Sequence, residues 1–124
     1  ELKDGVRSFD VKKNGLFPIT EGVKVLIQQK GLVGGNTHQR IEMLEGAQVL
    51  TPKQARNLVA SFDVLLHLRL KAQFDALAAG KKPHNFLSFE GLDRLQIGQL
   101  KLALQTVETF GRFLEQHFQL GGMR

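Results

Sequence analysis

Residues 51–80 read TPKQARNLVASFDVLLHLRLKAQFDALAAG. In the opening Thr51-Pro52-Lys53-Gln54, a hydroxyl stands before a proline suited to the first helical position, and a glutamine follows three residues after the hydroxyl. That arrangement satisfies amide groups which a helix start leaves without partners. A helix of about 27 residues is predicted, ending at Ala78-Ala79-Gly80 and about 40 Å long at 1.5 Å per residue. Its apolar stripe reads as Leu58, Phe62, Leu65 and Leu66, then Phe74 and Leu77.

Downstream, residues 81–87 form a loop, and Ser88 is the expected cap of a further long helix. Its stripe runs through Ile97, Leu100, Leu104, Val107, Leu114 and Phe118 to Gly121-Gly122. Two long helices of matched length should pack antiparallel. Upstream, Gly15-Leu16-Phe17-Pro18 leads into a helix with Pro18 at its first position and Ile19, Val23, Leu26 and Ile27 inward, down to Gly31. After the loop 31–35, Asn36 or Thr37 can cap a short helix with Ile41 and Leu44 inward, ending near Gly46.

No segment reads as a strand, because period-two alternation is confined to short stretches and Asn14-Gly15 precedes a helix. The fold class is all-α: an antiparallel helical bundle of two long and two shorter helices. Gly98 and Gly111 inside the last helix are expected to admit another helix closely or to mark a bend.

The 124 residues, 42% hydrophobic and 23% charged, fit one globular domain over residues 1–124. The absence of cysteine excludes disulfides, thiolate chemistry and Cys-type zinc sites, and the four histidines are scattered. Net charge is +5, concentrated in 52–82, where Lys53, Arg56, Arg69, Lys71, Lys81 and Lys82 face only Asp63 and Asp75. No apolar run approaches the roughly 18 residues of a membrane span. A cytoplasmic protein without membrane contact is expected, and a chain opening on Glu1 reads as a C-terminal piece of something longer.

Arg69 and Gln73 stand four residues apart, so they share a face of the long helix. Arg69 either pairs with a carboxylate such as Asp10 or Asp93, with Gln73 capping loop backbone, or it forks onto a phosphate or carboxylate ligand. Arg112 and His117 have a spacing similar to the signature of helical HEPN ribonucleases. With seven arginines and four histidines, on the order of one such pair arises by chance. His38, His67 and His84 lack companions at ligand spacing and read as surface or hydrogen-bonded residues. There is no G-x-S-x-G elbow, P-loop or G-x-G-x-x-G, so catalysis by the chain itself is not expected. Lys53, Lys71 and Lys81-Lys82 have no interleaved aromatics, and without tyrosine or tryptophan a solvated surface is favoured over a nucleic-acid interface. Phe86 and Phe89, near the turn between the long helices, could meet a partner domain.

An ordered set of short motifs runs along the chain: Asp10-Val11-Lys12, Gly15-Leu16-Phe17-Pro18-Ile19, Gly22-Val23-Lys24, and Asn36-Thr37 with Arg40-Ile41. It continues through Phe62, Leu65-Leu66, Leu68-Arg69-Leu70, Gln73 and Leu100-Lys101. In this order and spacing, over about residues 9–118, the chain resembles the nucleotidyltransferase substrate-binding domain family. That family looks like the C-terminal module of bacterial signalling proteins carrying a CBS or cyclic-nucleotide-binding region and a nucleotidyltransferase-like domain.

The resemblance implies a helical bundle similar to the substrate-binding subdomains of kanamycin-type nucleotidyltransferases. No cofactor is implied in this domain, since magnesium and nucleotide would belong to a neighbouring catalytic domain of the same polypeptide. This module would hold the acceptor, be it nucleotide, small molecule or protein. Asp10, Lys12, Arg40, Arg69, Gln73 and Lys101 match the family's polar positions and are the implied substrate-binding residues, with Asp10 and Lys12 fixing the N-terminal segment. Ile97 departs from the pattern where the family often has arginine, as Lys24 does with lysine for arginine, and the first change removes a charge from the implied site. A structural module that dimerises or relays a signal is the alternative, and it predicts an exposed Phe or Leu patch.

Overall fold

A computed structural model describes residues 2–3 and 6–122, with side chains described over 8–119. In chain order it has β1 (Leu2–Lys3), β2 (Val6–Asp10), a π-turn (Lys12–Leu16), α1 (Phe17–Gln29) and α2 (Thr37–Gly46). Then come α3 (Pro52–Ala78), β3 (Phe86–Ser88), a 3-10 turn (Phe89–Gly91) and α4 (Arg94–Gly122). The architecture is the expected all-α bundle of two long and two shorter helices. The long pair is antiparallel: Gln54 and Leu58 near the start of α3 share a groove with Phe110 and Phe113 late in α4.

The helix starts follow from local chemistry. Thr51 and Gln54 form the predicted capping box, with Gln54 N donating to Thr51 Oγ1 at 3.1 Å and Thr51 N donating to Gln54 Oε1 at 2.8 Å. Asn36 is the cap of α2, completed by Gln39. Gly80, at φ +74°, takes the left-handed position after α3, where a side chain would be strained.

Ser88 does not cap α4. It lies in β3 and precedes the 3-10 turn, and the cap is Asp93, whose Oδ1 accepts from Gln96 N at 2.8 Å while Asp93 N donates to Gln96 Oε1 at 3.0 Å. The first helical run also begins earlier than the expected start at Pro18. Asp10 Oδ1 accepts from Lys13 N at 2.9 Å, and the wide π-turn runs straight into α1. Proline has no amide to donate, so a change of hydrogen-bond register just before Pro18 accommodates it.

Three strands were not expected. They form an antiparallel sheet in the order β1-β2-β3, with Ser8 opposite Ser88, Phe9 opposite Leu87 and Asp10 opposite Phe86. Leu87 is buried and Phe9 packs against the core, so the sheet closes one end of the bundle.

The core is built on Val11, Ile19, Leu26, Leu44, Leu58, Leu65 and Leu100, all 2% exposed or less. On α3 the buried face runs Ala55, Leu58, Ser61, Leu65, Leu68, Ala72, Ala76, at helical spacing throughout. The end of that face, Ala72 and Ala76, is therefore made of alanines, which allow close approach. Phe74 and Leu77, assigned inward from sequence, are 68% and 55% exposed and lie with Leu66 and Leu70 on an outer stripe.

The glycines expected to admit a neighbour, Gly98 and Gly111, face open space instead. The close approach occurs at Gly22, where an added Cβ would lie 2.6 Å from both Leu114 Cδ1 and Phe110 Cε2. Among the described residues, no helix is long and apolar enough to cross a membrane.

Candidate functional site

Four of the six residues implied as substrate-binding gather where the N-terminal segment meets α3. Arg69 Nε donates to Asn85 Oδ1 at 2.8 Å, and Gln73 Nε2 reaches the same oxygen at 3.5 Å. The backbone carbonyl of Asn85 accepts from Val11 N at 2.9 Å, so one asparagine ties α3 to the Asp10–Lys12 junction. Asp10 caps the helical run, and Lys12 Nζ lies 5.3 Å from the centroid of the Phe17 ring. The carboxylates expected to pair with Arg69 are engaged as helix caps, Asp10 before α1 and Asp93 before α4. Among the described residues Arg69 makes no ion pair.

Arg40 and Lys101 lie elsewhere. Arg40 is half-buried on α2, with Nε shielded from solvent and without a hydrogen-bond partner. Lys101 is exposed on the outer face of α4, in a shallow depression with Leu95, Gly98 and Leu102.

α3 and α4 also share a feature that the sequence reading did not single out. A groove of about 430 Å³ runs between the first half of α3 and the middle of α4. Gln54, Asn57 and Ser61 line it from α3, and Gln105, Thr106 and Thr109 from α4, over an apolar floor that includes Leu58, Phe110 and Phe113. Ser61 is buried at 5% exposure, whereas Asn57 and Thr109 stand open to solvent. The signal was present as uncharged polar side chains at spacings of three and four, Asn57 to Ser61 and Gln105 or Thr106 to Thr109. Beside an apolar stripe such residues read as an ordinary helix flank.

Arg112 and His117 each engage a different residue and not one another. Arg112 Nη1 donates to Glu108 Oε1 at 2.6 Å, while His117 Nε2 donates to Gln29 Oε1 at 2.7 Å, and their positions differ by about 140° around α4. His38 Nε2 bonds Asp63 Oδ1 at 2.7 Å, and His84 Nδ1 accepts from Phe86 N at 3.1 Å. Among the described residues, no group of three or more His, Asp or Glu side chains could hold a metal ion.

A helical bundle with a solvent-open groove of hydrogen-bonding side chains has the form of a binding module. The chain matches the family described as "Putative nucleotidyltransferase substrate binding domain" over residues 2–118, and it belongs to that family. No curated protein and no solved structure matches it.

Proposed function

We propose that the chain is the non-catalytic acceptor-binding half of a regulated nucleotidyltransferase-type signalling protein, with the acceptor held in the α3–α4 groove. The groove carries this reading: six uncharged hydrogen-bonding side chains and two phenylalanines line one concavity, in a family described by substrate binding. A nucleotidyltransferase-related domain of the same polypeptide would supply nucleotide, magnesium and the reacting groups. The groove would supply position, because holding an acceptor at a fixed distance from a reacting centre turns a bimolecular step into an effectively unimolecular one. The CBS or cyclic-nucleotide control belongs to the same proposal and rests on the family resemblance. Arg69 and Gln73 act here as positioning residues, joined through Asn85 to Val11 so that the N-terminal segment is held on α3, and Asp10 and Lys12 flank that junction.

Thermal unfolding of the chain against nucleosides, nucleotides and glycosides tests this, since a ligand at 100 times its Kd adds about 2.7 kcal/mol. The expected result is a selective rise in Tm that disappears in Ala60→Trp, an exposed position where a large ring would fill the groove. A rise that survives Ala60→Trp but is lost in Arg69→Ala would move the site to the Arg69 cluster.

One observation favours a second reading, in which the domain docks on another protein surface or a second copy. Leu66, Leu70, Phe74 and Leu77 form an outer stripe on α3 with exposures from 36% to 68%, the kind of contiguous apolar patch that marks interaction surfaces. Light scattering at increasing concentration should then show association that Phe74→Asp abolishes. A monomer at all concentrations would count against self-association.

A further inference from the structure

We infer that the part of the substrate held in the α3–α4 groove is uncharged: a ring or chain bearing hydroxyl or amide groups, without phosphate or ammonium. The inference rests on reading that groove as the substrate site, and it names the chemistry the groove selects. Charged residues make up 23% of the chain, yet none lines this groove. Along α4 the neighbouring charges are Lys101, Glu108 and Arg112, all exposed and outside the lining; Glu108 and Arg112 engage each other at 2.6 Å, and Lys101 lies in the separate depression beside Leu95 and Gly98. On α3, Lys53 and Arg56 are exposed and also lie outside the lining.

A phosphate seated over Leu58 and Phe110 would lose hydration without gaining a cation, and an ammonium would find no carboxylate. Hydroxyls and amides, by contrast, meet partners of both kinds. Asn57 and Gln105 offer amide donors and carbonyl acceptors, Gln54 offers its amide donor while its oxygen holds Thr51 N, and Ser61, Thr106 and Thr109 offer hydroxyls that do either. The apolar floor takes the face of a sugar or base, in the usual design of an orienting polar rim over hydrophobic contact.

The test is an amide chemical-shift titration of the chain with two matched sets of probes. One set is adenosine, adenosine 5′-monophosphate and 5′-amino-5′-deoxyadenosine. The other is phenyl β-glucoside, its 6-phosphate and its 6-amino-6-deoxy analogue. In at least one set the neutral member should perturb the amides of Asn57, Thr106 and Thr109, with its charged counterparts at least tenfold weaker. Asn57→Asp should shift that preference at least tenfold toward the amino member. Charged members that bind the groove as tightly as the neutral one would overturn the inference and leave the groove as the substrate site. No perturbation of the groove by any of the six would overturn the substrate-site reading and the inference with it.

Discussion

At Gly22 α1 and α4 approach closely, and its missing side chain has a measurable consequence. In Gly22→Ala the new methyl meets the edge of the buried Phe110 ring and the tip of Leu114. Leu114 can swing aside, but the ring can move only with the core around it, so a net loss of about 1–2 kcal/mol is expected, after the helical gain from alanine. Gly98→Ala and Gly111→Ala meet nothing within 4 Å and should each gain about 0.5–1 kcal/mol. Urea unfolding of the three variants checks the opposite signs, and a Gly22→Ala protein as stable as the parent would refute the close contact. Asn85 is the other residue on which much depends, because its side-chain oxygen serves Arg69 and its backbone oxygen serves Val11. Asn85→Ala should cost about 1–3 kcal/mol by leaving a half-buried guanidinium without its partner. Asn85→Asp should retain more stability than Asn85→Ala, since it keeps an acceptor and adds opposite charge. Equal losses in the two variants would show that the contact contributes little.

At the scale of elements, the caps decide where helices begin. Thr51 was legible because it stands immediately before a periodic run and three residues before a glutamine, whereas at α2 the sequence left Asn36 and Thr37 open and the structure selects Asn36. Asp93 has the same arrangement with Gln96, but Ser88 drew the assignment because the strand Phe86–Ser88 was not foreseen. Thermal unfolding should separate them: Asp93→Ala is expected to lose about 0.5–2 kcal/mol, and Ser88→Ala less than about 0.5 kcal/mol. A reversed order would restore Ser88 as the cap. The stripe of α3 was misread for a different reason. Phe74 and Leu77 are large and apolar, yet α3 turns Ala72 and Ala76 to the neighbouring elements, so size is a poor guide where helices or strands pack closely.

At the scale of the whole molecule, the two long helices are closed at one end by strands that meet across 80 residues of sequence, Ser8 against Ser88. With β3 three residues long and β2 five, this ladder has little to resist local opening. Hydrogen exchange should therefore be faster in β2 and β3 than in the middle of α3 around Leu65, and equal protection would show that the sheet opens only with global unfolding. Helix count, the length of α3, its Thr51 cap and the family resemblance were determined by the sequence alone, because period, capping pairs and motif order are local or ordered along the chain. The tertiary structure decided the partner of Arg69, the face α3 buries, the strand pairing and the groove between Asn57–Ser61 and Thr106–Thr109. Each depends on which distant surfaces are pressed together, and that is a property of packing between elements.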